Sequence, residues 1–356
     1  MPKKKIAFFI NSLAGSGAEK VVSLLINQLC DVYEVHVILL TNAVEFELPE
    51  DKISICLLDH SDMIAKSRIK DMLKIPFLSF KLKKYLQKNE IGICFSFLVR
   101  SNFINCFLKF LHWKGVSIIS ERSHTSSQYG NGSLGEKMMQ FLIRHLYKQA
   151  DLIIPNAQLT VLDLQTHFGL KNKFEVIYNP IDLANQHETA KLPVDDDVTF
   201  DRFTFISVSR LSAQKNHRVL INAAEKIKDK NFRLLLIGKG ELETELKQQV
   251  KDLNLQDNVI FLGYKKNPSR YISKSNCFIL SSAFEGFPNA LLEALAAGTA
   301  VISTDCPSGP REMLYDVADL TVHCSDVEQA DYGLLVPVDD AGGLANAMLI
   351  MMEDES

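Results

Sequence analysis

The sequence lacks a long hydrophobic run and a paired cysteine motif. No apolar run approaches the ~18 residues that a membrane-spanning helix needs, so we expect no such helix. The apolar stretch after the basic start, Lys3–Lys5, ends at Asn11, which is too short for the core of a signal peptide. The seven cysteines include no C-x-x-C pair. They predict buried thiols in a reducing cytoplasm and exclude a disulfide framework or a zinc ribbon.

A strong overall charge is also missing, but the small net charge of −4 conceals an asymmetry. Residues 1–178 carry 22 Lys and Arg against 16 Asp and Glu, whereas residues 179–356 carry 17 against 27. Two explanations remain open: one half meets an anionic partner, or surface charge is sorted by chance. The length of 356 residues and the 47% hydrophobic content predict a folded chain of two domains.

Short apolar segments alternate with segments of helical spacing along the whole chain, which predicts two doubly wound α/β domains. Strands are predicted at residues 5–11, 34–41, 52–58, 91–97, 116–121, 152–155, 174–178, 204–209, 232–237, 258–262, 277–280 and 300–303. Helices are predicted at residues 18–30, 216–228, 241–253 and 289–297, among others. An acidic stretch after Asn179-Pro180 is typical of a linker and places the boundary between domains 1–180 and 181–356. Since ligands bind beyond the carboxyl ends of such strands, we expect the site in a cleft between the domains.

The first candidate loop is Gly15-Ser16-Gly17-Ala18-Glu19-Lys20, between a predicted strand and helix. A glycine-rich backbone at a helix start approaches a phosphate closely and donates N–H groups to it. The loop has neither the third glycine of a dinucleotide fingerprint nor the Gly-Lys-Ser/Thr ending of a P-loop. A phosphate contact and a simple flexible turn both fit this pattern.

A second loop carries two cations, Arg210 and Lys215, close to a predicted helix start. The helix dipole disfavours cations there, so the pair is better explained by a polyanion bound between them than by solvated surface charge. A third segment, Glu285-Gly286-Phe287-Pro288-Asn289, leads into a helix that carries Glu293. Its free backbone N–H groups and carboxylates suit a ligand with hydroxyls, such as a ribose diol, although a capped surface helix has the same features.

Together these motifs resemble the retaining, nucleotide-sugar-dependent glycosyltransferases of family 4, which have the GT-B fold. Glu285 and Glu293 match the family's E-x7-E spacing, Arg210 and Lys215 match its Arg-x4-Lys pair, and Gly15–Glu19 is similar to its N-terminal loop. The resemblance covers nearly the whole chain and implies a GT-B enzyme of two Rossmann-like domains that face a central cleft.

The resemblance also implies roles for individual residues. Arg210 and Lys215 would bind the donor diphosphate, Gly17 its β-phosphate, Glu293 the ribose, and Glu285 with the following amides the donor sugar. The base would lie near Tyr264. The implied donor site comprises Gly15, Gly17, Arg210, Lys215, Tyr264, Glu285, Gly286, Phe287, Pro288, Asn289, Ala290 and Glu293. The implied catalytic set comprises Arg210, Lys215, Glu285 and His124.

Two departures from the family pattern concern this set. Ser209 stands where the family often has glycine, and the family's donor-contacting histidine is represented by either Arg122 or His124. No cofactor and no metal are expected, because no D-x-D motif ends a predicted strand and the two cations supply the counter-charge of the leaving group. The family resemblance implies transfer by front-face attack, and we assign no side-chain nucleophile.

A basic and apolar stretch in the first half suits an anionic membrane surface. Residues 66–88 contain eight Lys and Arg against one acidic residue, interspersed with apolar side chains. A second such stretch lies at residues 137–148. The predicted acceptor and membrane residues are Arg68, Lys70, Lys74, Lys81, Lys84 and Arg122. Ordinary helices packed on a sheet remain the alternative, and a nucleic-acid partner is not expected because no aromatics interleave the lysines as a stacking surface would require.

The N-terminal half is similar to bacterial enzymes that add α-linked N-acetylhexosamines to undecaprenyl-diphosphate-linked oligosaccharides, as in epsilonproteobacterial N-glycan synthesis. The similarity implies UDP-GalNAc or UDP-GlcNAc as donor and a peripheral location on the inner face of the cytoplasmic membrane. Two alternatives stay open: a soluble GT-B enzyme with a small-molecule or glucan acceptor, and a binding protein without catalysis. The family usually ends with a helix that crosses back to the first domain. The sequence stops before it, which implies a truncated chain or a loosened domain interface.

Overall fold

The computed structural model describes residues 3–59, 72–130, 132–194 and 198–353. The chain divides into two compact units, Met1–Pro180 and Ile181–Ser356, at the residue pair where the sequence analysis places the domain boundary. Each unit is built on one sheet whose strands are mainly parallel.

The N-terminal unit has a six-stranded sheet of order β3-β2-β1-β4-β5-β6, in which all strand pairs are parallel. Side chains of the central strand β1 alternate between two hydrophobic cores, because neighbouring residues of a strand point to opposite faces. Ala7 and Phe9 belong to one core, and Ile6, Phe8 and Ile10 to the other. The strands are β1 Lys5–Ile10, β2 Glu34–Leu39, β3 Ile53–Leu57, β4 Ile93–Phe97, β5 Val116–Ser120 and β6 Leu152–Ile153. The helices are α1 Gly17–Leu29, α2 Ile75–Lys88, α3 Val99–Phe107, α4 Thr125–Gln128, α5 Leu134–Leu146 and α6 Gln158–Phe168.

The C-terminal unit has a seven-stranded sheet of order β12-β13-β11-β10-β7-β8-β9, parallel except for the β12–β13 pair. Here too neighbouring residues of one interior strand, Phe205 and Ile206, enter different cores. The strands are β7 Phe203–Val208, β8 Phe232–Ile237, β9 Val259–Gly263, β10 Cys277–Leu280, β11 Ala300–Thr304, β12 Glu328–Ala330 and β13 Gly333–Val336. The helices are α7 Leu183–Ala190, α8 His217–Lys226, α9 Glu243–Asp252, α10 Ser269–Ile272, α11 Asn289–Ala296, α12 Pro310–Leu314 and α13 Ala341–Glu353.

The predicted strand at residues 174–178 is wrong. Phe174 forms only an isolated bridge with Ile153, although Glu175 and Ile177 donate backbone hydrogen bonds to Ile153 and Pro155. Pro155 has no N–H to return the next bond, so a regular ladder does not continue. The other predicted strands are confirmed within a few residues, whereas the short β12 and β13 were not predicted.

No described helix, in either unit, is long and apolar enough to cross a membrane.

Candidate functional site

Two loops at the carboxyl edge of the C-terminal sheet bring Lys215 and Glu285 into contact. Lys215 ends a 3₁₀ turn, Ala213–Lys215, in the loop after β7, and Glu285 lies in the loop between β10 and α11. The Nζ of Lys215 is 2.6 Å from Oε1 of Glu285, and the hydroxyl of Ser282 donates to the same oxygen at 2.6 Å. The Glu285 side chain is 7% exposed and that of Lys215 is 20% exposed. This buried ion pair therefore joins two of the sequence motifs.

Hydrogen bonds between the two loops fix their register. Ala283 donates its N–H to the carbonyl of Gln214 at 2.8 Å, and the side-chain amide of Gln214 donates to the carbonyl of Phe284 at 2.8 Å. The hydroxyl of Ser281 donates to the carbonyl of Lys215 at 2.8 Å. The approach of Lys215 to Glu285 therefore rests on backbone contacts on both sides of the pair.

Helix α11 begins directly after the Glu285 loop. Pro288 occupies the cap position with an extended backbone, and Asn289 is the first helical residue. The positive end of the helix dipole therefore lies at the segment Gly286 to Ala290. Glu293 sits one turn into the helix and is buried; its carbonyl accepts from the side chain of Gln186 at 3.3 Å.

A turn after β11 supports the Glu285 loop from behind, and sequence analysis did not identify it. The carbonyl of Pro307 accepts the N–H of Glu285 at 3.1 Å, and the hydroxyl of Ser308 donates to the carbonyl of Gly286 at 2.9 Å. Gly309 has φ +93°, and a Cβ there would lie 2.7 Å from the Gly286 carbonyl oxygen. The signal available in the sequence was the Ser-Gly-Pro turn pattern after a buried strand.

The loop that carries Arg210 is held by two glycines that were also missed. A Cβ on Gly238 would lie 1.9 Å from the carbonyl oxygen of Ser209, and one on Gly240 would lie 2.1 Å from that of Leu211. Only glycine permits this close approach of two backbones. Arg210 itself is 76% exposed, with a carboxylate oxygen of Glu241 at 3.9 Å.

Tyr264 follows β9 at the same carboxyl edge and is exposed. Gly263 precedes it with φ +66°, and its carbonyl accepts the N–H of Gly238 at 2.9 Å. The predicted base-binding segment is therefore tied to the glycine loop that supports Arg210.

A buried histidine lies beside Lys215. Burial, and secondarily the charge of Lys215, lower the pKa of His217 to about 4. Its Nε2 lies 3.2 Å from the hydroxyl of Ser209, the residue that departs from the family pattern. His217 is therefore uncharged at neutral pH and adds no second cation next to Lys215.

In the N-terminal unit, the loop with Gly15 and Gly17 leads from β1 into α1. Gly15 has φ +96° and Gly17 is the first helical residue. Glu19, which is buried, accepts the N–H of Ser16 at 2.7 Å and, through its other oxygen, the hydroxyl of Ser12. The buried carboxylate of Glu19 therefore stabilises the exposed glycine loop through hydrogen bonds.

Arg122 follows β5 and turns toward the last residues of the unit. Its Nη2 donates to Oδ1 of Asn179 at 2.5 Å, and its guanidinium lies 5.9 Å from the centre of the Phe97 ring. Burial lowers the pKa of Arg122 to about 10. The neighbouring Glu121 accepts from the backbone N–H of Arg122 at 3.0 Å and from the hydroxyl of Tyr147 at 2.7 Å.

His124, the other candidate for the family's histidine, is engaged with residues of its own unit. Its Nδ1 lies 2.8 Å from the hydroxyl of Ser127, and its Nε2 lies 3.8 Å from Oδ1 of the buried Asp163. The side chain is 14% exposed. Both candidates thus lie at the carboxyl end of β5, and the choice between them stays a prediction.

The predicted basic surface falls partly on helix α2. Arg68 and Lys70 lie outside the described residues. Lys74 is 3.3 Å from Oδ2 of Asp59 and is thereby partly neutralised. The ammonium groups of Lys81 and Lys84 lie 4.8 Å and 4.7 Å from the ring centres of Phe77 and Phe80, respectively.

Comparison with known proteins identifies the chain's relatives. A family model described as "Glycosyltransferase Family 4" matches residues 15–185, and one described as "Glycosyl transferases group 1" matches residues 195–356. The chain is 35% identical over 353 residues to the N-acetylgalactosamine-N,N'-diacetylbacillosaminyl-diphospho-undecaprenol 4-alpha-N-acetylgalactosaminyltransferase of Campylobacter jejuni, covering 99% of this chain and 91% of the relative. The chain belongs to glycosyltransferase family 4.

Further relatives of this family 4 glycosyltransferase are similar over nearly their whole length. A second C. jejuni protein, named GalNAc-alpha-(1->4)-GalNAc-alpha-(1->3)-diNAcBac-PP-undecaprenol alpha-1,4-N-acetyl-D-galactosaminyltransferase, is 26% identical over 99% of this chain and 90% of its own. Among solved structures, Anabaena Alr3699/HepE in complex with UDP has a TM-score of 0.73 at 19% identity, over 98% of this chain and 90% of that one. Sucrose-phosphate synthase from Thermosynechococcus elongatus has a TM-score of 0.79 at 19% identity, over 99% and 90%. The expected GT-B class, with two Rossmann-like sheets, is confirmed.

Proposed function

We propose that this glycosyltransferase transfers GalNAc or GlcNAc from a UDP-sugar to a polyprenyl-diphosphate-linked oligosaccharide, with retention and formation of an α-linkage. The observation that carries the proposal is the ion pair of Lys215 and Glu285 beside the start of α11. The names of the two C. jejuni relatives support the acceptor class and GalNAc as the donor sugar.

The leaving nucleotide defines the role of the cations. Departure of UDP develops negative charge on the diphosphate, which preorganised positive groups stabilise. The ammonium group of Lys215 has three N–H donors, and one of them donates to Glu285. The other two N–H groups are suited to phosphate oxygens. Arg210, which is exposed and only loosely paired, is the second proposed phosphate ligand.

The remaining donor contacts proposed for the C-terminal unit follow the same edge of its sheet, and one further contact is proposed for the N-terminal unit. Glu293 would hold the ribose hydroxyls and Tyr264 would lie against the base. Glu285 and the amides from Gly286 to Ala290 would face the sugar. The exposed loop with Gly15 and Gly17 would donate backbone N–H groups to phosphate. We assign no side-chain nucleophile, because the family resemblance implies front-face attack; Lys215 and Ser282 both donate to the same oxygen of Glu285.

We propose that the reaction requires neither a cofactor nor a metal ion. Mg²⁺, where an enzyme uses it on a diphosphate, neutralises the charge of the departing group. Lys215 and Arg210 supply that charge here.

The acceptor would be reached from the N-terminal unit. Arg122, at the carboxyl end of β5, is the proposed ligand for the acceptor, and α2 is the proposed membrane contact. Among the exposed residues of this region, a subset at helical spacing forms a stripe: Leu73, Phe77, Phe80, Lys84 and Lys88. Apolar side chains beside cations suit an anionic lipid surface, at which each basic residue contributes ~1 kcal/mol. The enzyme would then act at the inner face of the cytoplasmic membrane.

A donor panel with a polyprenyl-diphosphate-linked glycan acceptor tests the function. We expect transfer from UDP-GalNAc or UDP-GlcNAc, unchanged by EDTA. In Lys215→Ala, kcat should fall by about 10²- to 10³-fold, the usual loss for one group that stabilises developing charge.

The control is Lys228→Ala, which removes a surface lysine paired with Glu225 and should retain full activity. Transfer by Lys215→Ala at the wild-type rate would overturn the diphosphate assignment. Transfer only to soluble sugars would favour the alternative acceptor class, and loss with EDTA would overturn metal independence.

A further inference from the structure

Arg311 is buried between two carboxylates in the C-terminal unit. It lies on α12, and its side chain is 4% exposed. Nε donates to Oδ1 of Asp305 at 3.0 Å and Nη2 to Oδ2 at 2.7 Å. On the other side, Nη1 and Nη2 donate to the two carboxylate oxygens of Glu328, each at 3.0 Å. The guanidinium thus makes two bidentate pairs at once, which is the geometry that its planar fork favours.

Each of the two carboxylates makes a further contact. Oδ2 of Asp305, at the end of β11, also accepts the N–H of Cys324 at 2.8 Å. Glu328, on β12, accepts the hydroxyl of Tyr315, and its pKa is held below its usual value first by the hydrogen bonds from Arg311. Arg311 therefore ties the end of β11 and α12 to the hairpin strand β12.

The turn enclosed by Asp305 and Arg311 is the one that supports the Glu285 loop. Two consecutive residues in it, Ser308 and Gly309, have φ of +71° and +93°. A non-glycine residue such as Ser308 keeps such a conformation only where the surroundings enforce it. The Pro307 carbonyl and the Ser308 hydroxyl of this turn hold the backbone of Glu285 and Gly286.

We propose that Arg311 is a positioning residue for the donor sugar: its double ion pair holds the Asp305–Arg311 turn, and the turn holds Glu285 and Gly286 in place. The inference rests on the proposed function, because Glu285 and Gly286 face the sugar only if this site binds a UDP-sugar. Arg311 acts on the Glu285 loop only through the turn. Its effect on donor binding should therefore be largest for the sugar, the part of the donor that this loop contacts.

The test compares Arg311→Lys with the wild type in kcat/KM, in the Kd for UDP-GalNAc and in the Kd for UDP. A single ammonium cannot satisfy both carboxylates in bidentate fashion, so the turn loosens. We expect kcat/KM and the affinity for intact UDP-GalNAc to fall about tenfold, since small displacements of positioning groups carry such factors. The Kd for UDP should change by a smaller factor than the Kd for UDP-GalNAc. The reason is that the backbone of Lys215 is held separately, by the hydroxyl of Ser281, although its side chain contacts Glu285.

Arg233→Lys is the matched control, because Arg233 pairs with Asp201 and is not part of this network. It should change neither affinity. Equal losses for UDP and UDP-GalNAc in Arg311→Lys, or no loss for either, would overturn the proposal. The milder variant Glu328→Gln removes charge from one side of Arg311 and should shift the same two affinities in the same ratio.

Hydrogen exchange separates a failure of this inference from a failure of the proposed function. The N–H of Glu285, which is bonded to the Pro307 carbonyl, should exchange faster in Arg311→Lys than in the wild type or in Arg233→Lys. If exchange is faster in Arg311→Lys but the wild type binds no UDP-sugar, then Arg311 supports the Glu285 loop but the proposed donor is wrong. Unchanged exchange would reject the support itself.

Discussion

At the end of β5, a carboxyl and a guanidinium lie on adjacent residues, Glu121 and Arg122; the carboxyl is buried and the arginine is partly buried. Burial raises the pKa of Glu121 to about 7, although the hydroxyl of Tyr147 and the backbone N–H of Arg122 lower it in part. Nearby Asp163 raises it further, and the charge of Arg122 lowers it. Glu121 therefore takes up a proton within the neutral range, next to the proposed acceptor ligand.

The pH dependence of stability follows from this shift. The pKa of Glu121 in the folded state lies above the unfolded value of 4.5, so the folded state binds the proton more tightly. Stability is thereby lost as pH rises from about 4.5 through 7, by up to roughly 3 kcal/mol. In Glu121→Gln this loss should be absent, so urea melts at pH 5 and pH 8 should differ less than in the wild type. The exposed Glu90→Gln serves as control, and equal slopes for all three proteins would contradict the assignment.

Gly240 allows a separate test of backbone approach. A methyl group at this position would meet the carbonyl of Leu211, a backbone atom that cannot rotate away. We expect Gly240→Ala to lose about 1–3 kcal/mol of unfolding free energy, the usual cost of overpacking. The control is Gly92→Ala, where a Cβ meets nothing within 4 Å, and thermal melts should show little change there. If Gly240→Ala is as stable as the wild type, the backbone segments at Gly240 and Leu211 can move apart without a loss of unfolding free energy.

At the scale of single residues, local spacing in the sequence predicted the motifs, but it did not predict the turn that holds the Glu285 loop in place. Lys215 and Glu285 each follow a buried strand, so their convergence at one sheet edge could be expected from the order of motifs. Pro307 and Arg311 lie in the turn after β11. This turn contacts the Glu285 loop because β11 pairs with β10. No local pattern in the sequence reveals that β11 lies next to β10.

Among the elements, α2 has two faces with different roles. Leu78, Leu82 and Leu86 are buried in the N-terminal core, as the alternative of an ordinary packed helix predicts. The opposite stripe nevertheless exposes Phe77 and Phe80 beside lysines. Packing on the sheet and contact with a lipid surface are thus compatible in one helix.

Charge reversal on this stripe tests the membrane contact. Lys84→Glu combined with Lys88→Glu should weaken binding of the whole chain to phosphatidylglycerol vesicles by at least about tenfold at low salt, given ~1 kcal/mol per basic residue. The reason is that two attractive charges become repulsive. Sedimentation with vesicles measures the effect.

The matched control is Lys228→Glu combined with Lys230→Glu, which changes the net charge equally in the C-terminal unit. Equal losses for both pairs would indicate a general charge effect and not a surface on α2. Absence of vesicle binding by the wild type would favour an acceptor in solution.

For the whole molecule, the two units differ in the sign of their net charge. Residues up to Pro180 carry 22 Lys and Arg against 16 Asp and Glu, and the residues after it carry 17 against 27. The fold class could be predicted because strand and helix periodicities are local and repeat many times. The strand order could not, since strand pairing depends on contacts between residues far apart in sequence. β12 and β13 were missed because three- and four-residue strands carry little periodicity.

The buried histidine beside Lys215 also bears on how the enzyme would respond to acid. With a pKa of about 4, His217 gains a positive charge only in strongly acidic solution. The imidazole acts there as an uncharged partner for Ser209, without the acid sensitivity that histidine usually brings. Moderate acidification would therefore not change, through this residue, the proposed binding of the donor.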